Sequence, residues 1–232
     1  MKIIAQMIGR NEADRHLHDV LSHLKPMVSE IVFTDDASTD STPEIAAEYG
    51  AHVYQMEESL FSKDEGLLRQ TAWNNLCNHA MPGDWVLAID CDEKLYCRQP
   101  NMDLFDVCST NNWDVININF VHMWNETQYR VDKAWKPHGS SRLFRWYPNG
   151  KFKDAALACG SEPTYVQALI RRRRFLRTND LVMQHLGYVR DEDKIAKHER
   201  YMKLDGGDFH ALKHIESIID PNPTLVDWNV NA

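Results

Sequence analysis

Trp85-Val86-Leu87-Ala88-Ile89-Asp90-Cys91-Asp92-Glu93 decides the fold class. Its apolar run reads as a strand buried on both faces, and carboxylates crowd the mouth of that strand. Side chains alternate along extended backbone, so Asp90 and Asp92 point the same way if the strand persists and can share one cation or its waters. Hard oxygen ligands at this spacing suit Mg2+ or Mn2+. Taken alone, the same D-x-D reads equally well as a solvated turn, because Asp is a frequent turn residue. The surrounding sequence has to decide.

Toward the N-terminus, strand and helix signals alternate. Ile3 to Ile8 is short and apolar, and Asn11 is placed to cap a helix carrying Leu17, Leu21, Leu24 and Val28 at helical spacing. Ile31-Val32-Phe33 gives a second buried strand. Ser41-Thr42-Pro43-Glu44 has the form of a capping box, and Gly50 stands where the helix it opens should stop. A third strand is expected at His52 to Gln55. Asp64 then caps a helix with Leu68, Ala72 and Leu76, ended near Pro82-Gly83, before the strand that delivers Asp90. Strands separated by helices imply right-handed crossovers: an α/β fold with a Rossmann-like, mostly parallel central sheet flanked by helices.

In such sheets ligands bind beyond the carboxyl ends of the strands. Three polar segments fall there: Gly9-Arg10-Asn11-Glu12, Thr34-Asp35-Asp36-Ala37-Ser38-Thr39-Asp40 and Asp90-Cys91-Asp92-Glu93. So many carboxylates on one edge repel one another unless a cation or hydrogen-bond donors meet them. Their convergence marks a site.

After residue 100 the pattern changes. Val115 to Phe120 alternates as a half-buried strand, and Ser141 to Trp146, ahead of the turn Pro148-Asn149-Gly150, reads as another. Trp124 and Trp135 either form a sugar-stacking wall or anchor the core. Helices are expected over Lys194 to Leu204 and Phe209 to Ile219, with Asp220-Pro221-Asn222-Pro223 breaking the chain into a short tail. The 232 residues read as one folded unit, with residues 1–100 as one half and 101–232 as an elaborated C-terminal part of the same domain.

The formal net charge of −8 argues against generic nucleic-acid binding, which needs a basic surface. Arg171 to Arg174 with Arg177 form a local basic cluster, read either as a solvated strand or hairpin or as a place to meet an anion. Five cysteines without C-x-x-C spacing indicate neither a disulfide framework nor a zinc ribbon. No stretch approaches the ~18 apolar residues of a membrane span, and the first apolar stretch is too brief for a secretory signal. The expectation is a cytoplasmic protein with no integral membrane segment.

Together, the strand ending near Asn11-Glu12, the segment Asp35-Asp36-Ala37-Ser38-Thr39-Asp40 and Trp85 to Glu93 resemble the family-2 glycosyltransferases of the GT-A fold. The resemblance covers about the first 100 residues strongly and runs more loosely through Arg142-Leu143-Phe144-Arg145 and Gln184-His185-Leu186-Gly187-Tyr188. It implies a metal-dependent, inverting hexosyl transfer from a nucleotide-sugar donor to an acceptor hydroxyl. It also implies that Asn11 and Glu12 border the donor, that Asp36 binds the nucleotide base and that Arg69 lies near the diphosphate. Asp90 and Asp92 would handle ribose and metal, with His185 as a third ligand to Mn2+ or Mg2+. Outside the family context Asp36 reads as an Asx turn or cap, and Arg69 and His185 as ordinary surface or packed residues.

Lys194 and Arg200, on the following helix, either neutralise a leaving diphosphate or form exposed helical salt bridges. Inversion needs a carboxylate base, and the family's usual acidic pair after the Arg-Leu-Phe-Arg strand is missing here, which leaves Glu162 first and Asp154 second. UDP-sugars are the favoured donors and GDP-sugars the second class; saccharide, protein and lipid-linked acceptors all fit. Two rival readings remain: a nucleotidyltransferase, for which Gly9-Arg10-Asn11-Glu12 is a poor phosphate loop, and a non-catalytic nucleotide-sugar or carbohydrate binding module.

Overall fold

The structure, a computed structural model, describes residues 1–61, 63–109, 112–155, 159–205 and 209–230. The chain runs β1 (Ile3–Gly9), α1 (Leu17–Leu24), β2 (Glu30–Asp35), α2 (Thr42–Glu48), β3 (His52–Gln55), α3 (Glu65–Leu76) and β4 (Trp85–Ala88). It continues through β5 (Glu93–Cys97), α4 (Leu104–Ser109), β6 (Val115–His122), β7 (Gln128–Arg130), β8 (His138–Arg145) and α5 (Thr164–Arg171). Last come β9 (Phe175–His185), α6 (Asp191–Asp205), α7 (Phe209–Ser217) and β10 (Leu225–Asp227).

The sheet has strand order β3-β2-β1-β4-β8-β6-β9-β5. Its first half, β3-β2-β1-β4, is parallel, as the alternating pattern requires. Its second half is mixed: β8 runs antiparallel to both β4 and β6, β9 parallel to β6, and β5 antiparallel to β9. Apolar layers pack on both faces. Leu17, Val20, Leu21 and Leu24 of α1 cover Ile3, Ala5, Phe33 and Leu87 on one side, while Trp73 and Leu76 of α3 cover Ile4, Val32, Val86 and Phe144 on the other. Consecutive residues of β1 and β4 thus serve opposite cores, which is why those strands are apolar without interruption.

Helix starts differ from the local expectation in two places. Asn11 does not cap α1: the residue before that helix is His16, and Asn11, at φ 54°, instead accepts the Thr39 N–H in the loop. Ser41 makes no capping bond: Pro43, at the second helical position, has no N–H to offer, and the Thr42 N–H goes to Asp40 Oδ1 at 3.0 Å. Asp64 does cap α3, accepting from Leu67 N at 2.9 Å. The tail is not loose either, since β10 pairs antiparallel with β7. Trp124 and Trp135 are buried with Tyr188 and Ile218 in a third apolar cluster, so they anchor the C-terminal part and present no stacking wall. Among the described residues no helix is long and apolar enough to cross a membrane.

Candidate active site

β1, β2 and β4 end side by side, and the loops that follow them line a cleft of about 720 Å3 with Arg10, Glu12, Asp36, Asp90 and Asp92. α3 contributes Glu65, Leu68 and Arg69. The C-terminal part closes the cleft with His185 from β9 and with Lys197, Arg200 and Tyr201 from α6. The carboxylate-rich strand ends meet cations supplied by residues far along the chain.

The D-x-D lies just outside its strand. β4 stops at Ala88, and Asp90 and Glu93 close a tight turn in which Asp90 N donates to Glu93 Oε2 at 2.9 Å and Glu93 N to Asp90 O at 3.1 Å. Extended backbone does not persist through the motif, so the two aspartates have different partners. Asp92 Oδ2 lies 3.3 Å from His185 Nε2 and 3.3 Å from Lys197 Nζ. Asp90 faces Arg142 at 3.3 Å and Arg69 at 3.8 Å. Burial opposes ionisation of both, yet His185 and Lys197 hold the Asp92 carboxyl well below the usual carboxylate range, and Arg142 and Arg69 lower that of Asp90. Both are held as anions by these cationic neighbours.

Gly187 explains how closely these groups meet. A side chain there would come within 2.9 Å of His185 Nε2 and nearer still to Asp92 Oδ2 and Lys197 Nζ. The other imidazole nitrogen of His185, Nδ1, is 3.0 Å from His122 Nδ1, and burial and the neighbouring His185 push His122 well below the ordinary histidine range. A neutral His122 can bond Nδ1 of His185 and fix the ring with Nε2 toward Asp92.

Asp36 is buried, and its carboxylate accepts from Ser59 Oγ at 2.6 Å, Leu60 N at 2.7 Å and Phe61 N at 3.1 Å. It pins the 59–61 loop over the cleft. The local side-chain-to-backbone bond belongs to its neighbour, since Asp35 Oδ2 accepts the Ser38 N–H, three residues on, at 3.0 Å. Glu12 lies in the cleft with one buried oxygen lacking a partner, and burial, opposed by Arg15 at 3.1 Å, pushes its carboxyl up to about 7. Asn11 lines the cleft through a loop position. Arg200 lies over the Phe61 ring at 5.4 Å, whereas Lys194 turns away to Asp191 and the Trp124 ring.

Glu162 is half-buried and accepts from Gln167 at 3.0 Å; its neighbour Ser161 takes a 2.8 Å bond from Arg142, the residue that holds Asp90 and Glu93. Asp154 is exposed, next to residues 156–158. Neither is among the described residues that line the cleft. Sequence reasoning singled out none of Arg15, His122, Arg142 or Lys197. The one available signal was position: Lys197 shares a helix face with Lys194 and Arg200, three residues from each.

Part of the chain is similar to known sequences, and nearly all of it to known folds. The sequence model of the family described as Glycosyl transferase family 2 matches residues 10–96, the segment that supplies Asp36, Arg69, Asp90 and Asp92. A TPR repeat-containing protein of Synechococcus elongatus is 36% identical over 89 residues, which is 38% of this chain. The chain spans about a fifth of the length of that curated relative. Solved structures with a similar fold span nearly all of this chain. The mannosyltransferase PcManGT from Pyrobaculum calidifontis, in complex with GDP-Man and Mn2+, has TM-score 0.56 and 14% identity over 96% of this chain and 65% of its own. S. aureus TarS in complex with UDP-GlcNAc has TM-score 0.53 and 16% identity over 94% of this chain and 72% of its own. Residues 10–96 are thus similar to glycosyl transferase family 2, and the fold of the chain is the GT-A fold.

Proposed function

We propose that this protein transfers a hexose from a nucleoside-diphosphate sugar to an acceptor hydroxyl, with inversion at the anomeric carbon. One observation carries the reading: the family-2 segment places Asp36, Arg69, Asp90 and Asp92 around a single cleft, onto which His185 and Lys197 close from the C-terminal part. Residues 1–100 bind the donor and residues 101–232 complete the acceptor side. The structural relatives with UDP-GlcNAc and with GDP-Man support both donor classes, and UDP-sugars are favoured.

The residues present fit a divalent cation. Asp92 Oδ2 and His185 Nε2 stand 3.3 Å apart, close to the separation of adjacent ligands around an ion bound at about 2.1–2.2 Å, and a carboxylate with an imidazole suits Mn2+. Asp92 and His185 would hold the ion, with Asp90 beside them, and it would supply charge stabilisation for the departing diphosphate.

The chain's own groups act around that centre. Asp36 organises the base end of the cleft through the 59–61 loop, with Asn11 and Glu12 on its flank. Arg69 and Arg200 offer planar forks to phosphate oxygens, and Lys197 adds a point charge. Lys194, paired with Asp191 and lying over the Trp124 ring, takes no part in this row. An acceptor hydroxyl must lose its proton as it attacks, and Glu162 is assigned that task ahead of Asp154, for a contribution of about 10²–10⁴-fold.

A thermal-shift screen against UDP, GDP and their sugars, each with and without Mn2+, tests this reading. Selective, metal-dependent stabilisation by one nucleotide is the expected result. No stabilisation at saturating ligand would remove the donor site.

A further inference from the structure

At the opposite end of the strands from the cleft, three side chains meet that nothing in glycosyl transfer calls for. Glu30 opens β2, His52 opens the edge strand β3, and His79 follows α3 where that helix returns to the strands' N-terminal edge. Register brings them together. Val32 pairs with His52, so Glu30, two residues before Val32, shares its face, as does Tyr54, two residues after His52. That is the face α3 covers with Trp73 and Leu76.

We propose that Glu30, His52 and His79 form a binding site for one Zn2+ ion. Their ligand atoms all lie within 4.8 Å of one another. Glu30 Oε2 is 3.1 Å from His79 Nδ1 and 3.5 Å from His52 Nε2. Zinc held tetrahedrally at about 2.0–2.1 Å puts adjacent ligands about 3.3 Å apart, and the two observed separations bracket that value. His52, half-exposed on the edge strand, has the freedom to close the third edge and leaves the fourth position to water.

The outer contacts orient this set as a metal site requires. His79 Nε2 is bonded to the Tyr54 hydroxyl at 2.8 Å, which leaves Nδ1 to face the ion. Lys2 Nζ occupies the other carboxylate oxygen, Glu30 Oε1, at 2.5 Å, so Oε2 alone turns toward the imidazoles. Lys2 is the cation facing the site, and the Asp84 carboxylate, which accepts the Lys2 backbone N–H at 2.8 Å, stands behind it. Two imidazoles and one carboxylate select a borderline ion such as Zn2+ over Mg2+ or Mn2+, the opposite preference to the carboxylate-rich cleft. An ion here would tie β2, the edge strand β3 and the end of α3 together.

The test is calorimetric titration of Zn2+ into tag-free protein carrying Asp92→Ala, which silences the cleft. One Zn2+ per chain is expected, with binding weakened at least about 10-fold by adding His52→Ala and by adding Glu30→Gln. His52 is exposed, so its removal leaves the fold intact, and circular dichroism checks this. Co2+ in place of Zn2+ should give the visible absorption of a tetrahedral centre, lost in the same variants. Absence of Zn2+ binding, or binding unchanged by His52→Ala, overturns the proposal and leaves the three residues as a hydrogen-bonded cluster.

Discussion

Gly187→Ala perturbs the cleft without deleting any polar group in it. Ordinary van der Waals contact with a side-chain carbon begins at about 3.4 Å, so the new methyl must push His185 Nε2 by about half an ångström and Asp92 Oδ2 by about 1 Å, with Lys197 Nζ displaced further. Lys197 can yield at little cost because it is the end of a flexible chain. Asp92 and His185 cannot yield without losing their mutual geometry, and a misplacement of about 1 Å at a reacting centre costs on the order of 10²-fold in rate. The backbone at Gly187 is not left-handed, so the substitution adds no φ strain. Gly83→Ala is the matched control: Gly83 has φ 93° and open space where an added methyl would stand, so the substitution strains the backbone by about 1 kcal/mol or more and touches nothing in the cleft. Donor turnover and melting temperature, measured on both variants, should separate cleanly. Gly187→Ala is expected to lose about 10²-fold in kcat/KM with little change in melting temperature, and Gly83→Ala the reverse. A fully active Gly187→Ala protein would refute the placement of the reacting centre at Asp92 and His185.

Three further outcomes are expected. Asp92→Ala should abolish metal-dependent donor binding in calorimetry while circular dichroism shows the fold retained, with a lowered melting temperature because His185 and Lys197 lose their carboxylate partner. Arg142→Met leaves Glu93 buried beside Asp90 without its 2.9 Å partner, and denaturant unfolding should show a loss of about 3–5 kcal/mol. Glu12 supplies a pH dependence. Burial raises its carboxyl to about 7 in the folded chain against 4.5 ordinarily, so its stabilising contribution is full below pH 4.5 and is lost as pH rises through 7. Glu12→Gln should flatten that fall by up to about 3 kcal/mol in unfolding measured across the window.

The parallel half of the fold was legible because its strands are short, all but the edge strand β3 are apolar, and each is separated from the next by a helix with a readable start or stop. β3 falls on His52 to Gln55 as expected, and Gly50, at φ 83°, stands just past the end of α2. β5 and β9 were hidden for a physical reason. Both are half-polar strands, such as Phe175-Leu176-Arg177-Thr178-Asn179-Asp180, whose pairing is decided by distant partners and leaves little local period. Arg171 to Arg174 close α5 and the turn after it, with Arg174 paired to Asp114. The acidic half of the cleft was equally readable, since its carboxylates sit at predictable strand ends. Its cationic half was not: Arg142 and Lys197 reach Asp90 and Asp92 across 52 and 105 residues of sequence, and no local pattern says which carboxylate either one meets.

The central claim is transfer, not binding alone, and donor consumption tests it most directly. The protein is incubated with Mn2+, the nucleotide sugar that stabilises it and a panel of saccharide acceptors, and nucleoside diphosphate release is followed beside the Asp92→Ala variant. The account predicts acceptor-stimulated release that Asp92→Ala lacks. A donor that binds tightly at the cleft yet remains intact with every acceptor would contradict it and leave a nucleotide-sugar binding module.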